Sequence, residues 1–297
     1  MAGTRQILQR RKAAANIGKI TRTMEMVSTA RYKAYYNRWV GVVDYNDALA
    51  QAAYLLVTPQ KPIDHSLLKE NSSGQMAILV IGSTRGLCGL YNTSICRLVQ
   101  TYVDIAKNSQ KKLEIYAPDR KVVGTLNYHG IKLTKIYKDF GEVPSDAQIN
   151  ELADGFIEQY LAGRLDYFGI VYMHFHSTTS QQAQLLTIMP LTELIDDLTT
   201  RATVIWPWEL SFEDFYLSPS ADKIVEGLAR MLIRSSVRNC FMDAALSEHL
   251  ARMVAMRNAT ENAEEMIKEL TLQYNRARQT QITGELLDII GGTGALR

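Results

Sequence analysis

The chain has little proline, and none of it lies near either end. All seven prolines fall between positions 59 and 219 of the 297 residues. Because proline removes an amide donor and breaks helices, both ends are left open to long helices. Long apolar runs are also missing, and the nearest, at residues 76–82, is far shorter than the ~18 residues that a membrane-spanning helix needs. We therefore expect no transmembrane span, and no secretory signal, since the basic N-terminus lacks an apolar core.

Cysteine is scarce as well. The three cysteines, Cys88, Cys96 and Cys240, have neither metal-ligand spacing nor the pattern of a secreted disulfide framework. The sequence therefore predicts buried, reduced thiols, with no metal and no cofactor.

Acidic residues are nearly absent from the first forty positions. Glu25 is the one acid there, against nine cations: Arg5, Arg10, Arg11, Lys12, Lys19, Arg22, Arg31, Lys33 and Arg38. A run of charge is usually a solvated face, but this density favours an acidic partner. A basic coiled coil that binds nucleic acid would also fit these cations. It would not explain the acidic stretch at residues 261–269.

Both ends of the chain show apolar residues at steps of three and four. Near the C-terminus these are Ala259, Ala263, Met266, Leu270, Tyr274 and Ala277. Near the N-terminus they are Ile17, Ile20, Met24, Val27 and Ala34. A mean step near 3.5 is typical of a coiled-coil seam. We predict that a helix over residues 1–57 pairs antiparallel with one over residues 221–297, with Met24 near the stretch 266–274.

The middle of the chain, residues 75–193, alternates short β-branched strands with amphipathic helices. This order predicts a Rossmann-like, mostly parallel sheet covered by helices, with an antiparallel strand added at its edge. Asn92 and Ser145 are placed to cap two of the helices. Residues 194–220 are expected to form an irregular connector. The predicted fold class is thus an α/β domain plus a long antiparallel two-helix coiled coil.

No reaction centre is predicted. The glycine turn at residues 82–89 lacks the lysine of a phosphate loop and the Rossmann glycine spacing. Cys88 has no local basic partner that would lower its pKa. His174 and His176 point to one face of a strand without a third ligand, so packing or surface histidines are expected. An α/β enzyme dimerised by its coiled coil remains the alternative, and it would need reactive residues within 75–190.

Three segments together resemble the γ subunit of F-type ATP synthase. They are KITRTMEMVSTARYKA at 19–34, STRGLCGLYN at 83–92 and, most specifically, ITGELLDIIGG at 282–292. The resemblance covers the whole chain in the right order. It implies a non-catalytic rotor shaft that couples ion-driven rotation of the c-ring to conformational cycling of the catalytic α/β ring. The implied partners are the α and β subunits, the ε subunit and the c-ring, with no nucleic acid. The implied location is peripheral, on the cytoplasmic side of a bacterial inner membrane.

The resemblance also implies contact residues. Lys19, Met24 and Arg31 match the part of the family's first helix that meets the β subunits, and Arg278 and Gln279 match the part of the last helix that contacts a β-subunit loop. At the foot, the expected contact residues are Arg85, Tyr216 and Ser218.

Two of the foot positions depart from the family pattern. Thr84 stands where the family usually has aspartate, so an ion pair at that turn is not expected. Ser218 stands where a glutamate is usual, which weakens the expected polar contact to the c-ring.

Overall fold

The computed structural model describes residues 2–57, 65–118, 120–201, 218 and 220–294. Two long helices occupy the ends of the chain, α1 at Ala2–Val57 and the last helix, α6, at Ala221–Gly294. The helices between them are α2 (Tyr91–Asn108), α3 (Lys121–Tyr128), α4 (Asp146–Leu161) and α5 (Leu191–Arg201). The strands are β1 (Gln75–Val80), β2 (Lys112–Pro118), β3 (Lys135–Tyr137), β4 (Tyr167–Phe175) and β5 (Gln181–Met189). None of the helices in these described ranges is long and apolar enough to cross a membrane.

The five strands form one sheet in the order β3-β2-β1-β4-β5. The pairs that β1 makes with β2 and β4, and the pair of β2 with β3, are parallel, whereas β5 runs antiparallel to β4. In register, Ile78 of β1 lies opposite Ile115 of β2 and Gly169 of β4. This arrangement confirms the predicted fold class, including the antiparallel strand at the edge.

The chain divides into two compact units. Residues 1–30 and 252–297 form what we call the helical unit, and residues 31–251 form the sheet unit. The sheet unit therefore extends beyond the predicted range 75–193, because it includes residues 31–57 of α1 and 221–251 of α6.

In the helical unit, α1 and α6 pair antiparallel through small and hydroxyl residues. The Oγ1 atoms of Thr21 and Thr260 are 2.7 Å apart, and a Cβ built on Gly18 would lie 3.4 Å from the Cβ of Ala263. The guanidinium carbon of Arg11 lies 5.5 Å from the ring centroid of Tyr274. With Thr21 against Thr260, Met24 lies opposite residues near 257. The predicted register, with Met24 near 266–274, was wrong by between about two and a half and five turns.

The predicted seam was right for most of α6, but on α1 it was wrong except at the half-buried Met24. Ala263 and Leu270 are buried as expected, although Met266 is exposed. In the described part of α1 that belongs to the helical unit, the buried residues are Ala14, Thr21 and Ser28, seven residues apart. The side chains expected there, Ile17, Ile20 and Val27, are 54%, 60% and 53% exposed. Small residues let the two backbones approach closely, so the larger apolar side chains of α1 point away from the seam.

In the sheet unit, helices cover both faces of the sheet. On one face, α4, α5 and parts of α1 and α6 bury a large apolar cluster around Phe156, Phe168 and Phe241. On the other face, α2 and α3 pack against Ile78, Val80 and Ile115. All three cysteines are buried, as predicted.

Local sequence explains several boundaries in this unit. Ser145 caps α4 as predicted, in a capping box with Gln148. A Cβ at Gly82 would lie 2.1 Å from the Cβ of Val122, so tight strand-to-helix packing does require glycine there. The prediction of irregular chain was wrong for residues 194–201, where α5 buries Leu194 and Leu198 four residues apart. Except for residues 218 and 220, the rest of that connector lies outside the described residues.

Candidate partner-binding surfaces

The glycine turn after β1 is held from a distance by a buried acid on α6. Glu248, 1% exposed, accepts hydrogen bonds from the amide of Thr84 at 2.8 Å, its hydroxyl at 2.7 Å and the amide of Arg85 at 3.3 Å. The hydroxyl of Thr84 thus makes a polar contact at the position where aspartate is usual in the family that the sequence resembles. Sequence reasoning missed Glu248. The one available signal was an acid inside the mainly apolar stretch at 240–250.

Asn92 also holds this turn, which corrects its predicted role as a helix cap. Leu90 occupies the N-cap position of α2 without a side-chain hydrogen bond. The side chain of Asn92 turns back to Ser83, whose amide donates to Oδ1 at 3.0 Å, while Nδ2 donates to the Ser83 hydroxyl at 2.7 Å. The second residue of the helix therefore fixes the loop before it.

The fixed turn presents apolar side chains to solvent. Leu87 adopts a positive φ of 63° and is largely exposed, and Leu90 is more exposed still. Arg85, predicted as a foot contact, is also exposed. A left-handed conformation at a non-glycine residue persists only where its surroundings fix it, which the contacts of Glu248 and Asn92 do here. The turn is a rigid, exposed surface that suits a protein partner.

A second group of side chains, which we call the Glu142 cluster, joins the loop before α4 to both terminal helices. The Glu142 carboxylate accepts hydrogen bonds from Arg31 Nη1 at 2.6 Å and Tyr35 Oη at 2.7 Å, both on α1. His249 Nε2 on α6 lies 3.2 Å from the same carboxylate, and the His249 ring stacks on Tyr35. The hydrogen bond with His249, aided by Tyr35 and Arg31, lowers the pKa of Glu142 to about 2 despite its burial. Burial and the neighbouring carboxylate raise the pKa of Tyr35.

Arg120 supports the loop that carries Glu142. Its guanidinium donates to the carbonyl oxygens of Gly141 at 2.7 Å, Glu142 at 3.0 Å and Gly82 at 3.0 Å. It also lies over the ring of Phe241, 5.4 Å from the centroid. Burial lowers the pKa of Arg120, and the nearby Glu248 opposes that shift. A buried cation thus ties the loop to the first strand's turn and to α6.

His174 in β4 and His176 just after it have neighbours that explain their positions. His174 Nδ1 lies 2.5 Å from Oδ2 of Asp243, a buried α6 carboxylate that also accepts from the amide of Phe175. Burial raises the pKa of Asp243, and the bond to His174 opposes that shift. The ring of His176 packs edge-on against His174. Within the described residues, no group of three or more metal-ligating side chains comes together.

The remaining predicted contact residues lie at separate places. Lys19, Arg278 and Gln279 are exposed in the helical unit, and Met24 is half-buried there. Because Gly18 faces Ala263, Lys19 and Arg278 lie roughly 20 Å apart along the helix pair. Arg31 is held by Glu142 with 44% of its side chain exposed. Ser218 is exposed, and Tyr216 lies outside the described residues. The structure therefore offers surfaces rather than one convergent site.

The helical unit also exposes a row of large apolar side chains. Ile17, Ile20 and Val27 form this exposed stripe on α1, and Met26 lies beside it. Large apolar side chains that repeat along one helix and stay outside its own seam mark a surface for another protein.

Comparison with known proteins gives one family. A protein-family model described as ATP synthase matches residues 3–296. The ATP synthase gamma chain of Rhodopirellula baltica is 36% identical over 297 residues, which cover 100% of this chain and 99% of that protein. The ATP synthase gamma chain of Leptospira biflexa is 32% identical over 298 residues, with full coverage of both.

Among solved structures, a chain from the Euglena gracilis mitochondrial ATP synthase, in an assembly of OSCP, F1 and c-ring, is similar with a TM-score of 0.66. It is 20% identical, and the match covers 99% of this chain and 95% of that one. A rotor chain of the same synthase gives a TM-score of 0.64 at 19% identity, with 95% and 99% covered. These likenesses support the fold.

Proposed function

Because this chain belongs to the ATP synthase gamma chain family, it is a central-stalk subunit, and we propose that it acts as the rotor shaft. In this role it couples ion-driven rotation of the c-ring to conformational cycling of the catalytic ring. The family match over residues 3–296 carries the proposal. The shaft itself is non-catalytic, and the nucleotide sites belong to the surrounding α and β subunits.

The helical unit has the surface that a shaft needs. Its seam uses small and hydroxyl side chains, which leaves Ile17, Ile20 and Val27 for a surrounding partner. Lys19 and Arg22 add exposed cations to the same helix. Exposed ion pairs contribute only ~0–1 kcal/mol each, so contacts with acidic levers of the β subunits can break and re-form as the shaft turns.

Near the C-terminal end of α6, Arg278 and Gln279 contact a loop of one β subunit at a time. Lys19, Met24 and the exposed part of Arg31 meet the β-subunit levers. A guanidinium can make a forked, charge-assisted contact of about 1.5–3 kcal/mol where it is shielded. A contact made in only one of three β-subunit states biases the ring towards asymmetry, which coupling requires.

The sheet unit forms the foot. Arg85 on the rigid glycine turn, together with Tyr216 and Ser218, faces the ε subunit and the c-ring. The c-ring appears in the assembly to which the similar Euglena chain belongs. The protein is then peripheral to the membrane, on the cytoplasmic side in a bacterium.

Substitution of Arg278 and Gln279 tests the proposed contact with the β subunit. In the assembled complex, Arg278→Ala with Gln279→Ala is expected to slow steady-state ATP hydrolysis by about ten- to a hundredfold, the equivalent of about 1.5–3 kcal/mol. Both side chains are exposed, so folding and assembly should be unchanged. Arg257→Ala, an exposed arginine on the same helix, is the matched control. Wild-type turnover in the double variant would show that these side chains do not carry the coupling.

The alternative, an α/β enzyme dimerised by its coiled coil, predicts a different complex. We expect the chain to co-purify with ring-forming ATPase subunits, and a self-dimer free of such subunits would favour the alternative.

A further inference from the structure

We propose that Glu142 is a positioning residue that locks the two terminal helices to the foot, so that rotation of the foot turns the shaft without slip. The inference rests on the proposed rotor function. Its basis is the convergence of α1, α6 and the loop before α4 on a single carboxylate.

The three contacts of Glu142 come from two different helices. Arg31 and Tyr35 are one turn apart on α1 and reach opposite oxygens of the carboxylate, Oε1 at 2.6 Å and Oε2 at 2.7 Å. His249 of α6 is buried and reaches Oε2 at 3.2 Å. The stacked rings of Tyr35 and His249, with centroids 5.3 Å apart, also tie the two helices to each other. Glu142 is therefore bound to both helices at the same level.

The loop that carries Glu142 is itself fixed. Arg120 holds the carbonyl oxygens of Gly141 and Glu142, as described above. On the other side, Gln148 of the α4 capping box donates from Nε2 to the carbonyl oxygen of Asp139 at 3.2 Å. A carboxylate on a loop held at both ends can resist movement of the helices that it binds.

Hydrogen bonds resist rotation in a way that apolar packing does not. Apolar contacts between a helix and a sheet are non-directional, so they oppose separation more than sliding or turning. Charge-assisted hydrogen bonds depend on distance and angle and are roughly twice as strong as neutral ones. In the sheet unit, Glu142 makes such hydrogen bonds to α1 and to α6 at the same time.

Another glutamate in the same unit provides a matched control. Glu114 accepts from Lys112 Nζ at 2.9 Å and from Tyr116 Oη at 2.7 Å, so it also binds one cation and one tyrosine. These partners lie on β2, the strand that carries Glu114, and are not on a terminal helix. Glu114→Gln therefore removes a similar carboxylate without touching the proposed lock.

The test measures torsional stiffness in the assembled complex. The catalytic ring is immobilised, and a bead is attached to the foot through Tyr128→Cys, a position that is 87% exposed. The native cysteines of this chain are buried, so within this chain the label goes to the new one. Angular fluctuations of the bead are recorded with the shaft at rest, for the parent, Glu142→Gln, Tyr35→Phe and Glu114→Gln. Tyr35→Phe removes one hydroxyl, and it keeps the test open if Glu142→Gln does not assemble.

We expect Glu142→Gln to increase the variance of the bead angle by about twofold, because neutral hydrogen bonds replace charge-assisted ones. Tyr35→Phe should give a smaller increase, and Glu114→Gln should match the parent. A parent-like variance in both Glu142→Gln and Tyr35→Phe, or an equal increase in Glu114→Gln, would overturn the proposal. ATP-driven rotation of the parent bead tests the rotor function separately, since the resting variance does not depend on it.

Discussion

The helical unit and the sheet unit treat their large apolar side chains in opposite ways. In the sheet unit, Phe156 and Phe168 stack with ring centroids 3.9 Å apart and are almost completely buried. In the helical unit, Ile17, Ile20 and Val27 are more than half exposed, and the seam is made by residues such as Thr21 and Thr260. The sheet unit buries its large apolar side chains in its own core, whereas the helical unit leaves such side chains exposed, where a partner can contact them.

Because of this difference, one part of α1 and α6 contributes to stability and the other part of the same helices contributes to function. In the sheet unit, α1 and α6 help to close a core, so substitutions there should act on folding. In the helical unit the same helices expose residues that contribute little to the isolated chain, so substitutions should act on binding. A shaft subunit requires both properties: a stably folded domain, and helices whose exposed side chains can contact partner subunits.

The largest expected difference between the units is in apolar truncation. Phe156→Ala should lower the free energy of unfolding of the isolated chain by about 3–5 kcal/mol, because it leaves a cavity in the core. Met266→Ala in the helical unit should change it by less than about 0.5 kcal/mol, since Met266 is exposed. Urea titration measures both. Similar losses for the two variants would contradict the division between the units.

A smaller difference is expected between two glutamates of α6. Glu248→Ala removes the buried carboxylate that accepts from the part-buried amides of Thr84 and Arg85, at a cost of about 1.5–3 kcal/mol. Glu264→Ala breaks an exposed pair with Arg22 and should cost less than about 1 kcal/mol. Chemical denaturation of both variants checks the order, and a costlier Glu264→Ala would reverse it.

The smallest expected effect is a pH dependence in the sheet unit. The folded pKa of Glu142 is lowered to about 2 by its hydrogen bonds, below its value in the unfolded chain. The stabilisation is therefore complete above about pH 4.5 and is lost as the pH falls towards 2, with a total of about 1–3 kcal/mol. Glu142→Gln should remove this part of the acid dependence, measured as unfolding free energy against pH. An unchanged acid dependence in Glu142→Gln would show that the cluster does not stabilise the fold.

Much of the fold was accessible from the sequence because local patterns determine it. The apolar run of β1, the capping residue Ser145 and the absence of proline at both ends each predict their own element. The helix α5 was missed because its paired aspartates and threonines resemble a loop, whereas its buried Leu194 and Leu198 make it amphipathic.

The seam of α1 and the polar contacts could not be predicted for a different reason. Steps of three and four fit both a seam and an exposed partner surface, so spacing alone did not distinguish Ile17 and Ile20 from Ala14 and Thr21. Glu248 meets Thr84 across 164 positions of sequence, and Glu142 meets His249 across 107. Nothing local marks such long-range pairs. The predicted β-subunit contacts at Lys19, Met24, Arg31, Arg278 and Gln279 stay predictions.

The rotor function can be tested most directly by watching the foot turn. The chain is assembled with the α and β subunits, the ring is fixed to a surface, and a bead on the foot is followed while ATP is supplied. We predict sustained rotation in one direction that stops when ATP is removed. A bead that stays still while the same complexes hydrolyse ATP would contradict the proposal that this chain is the rotor shaft.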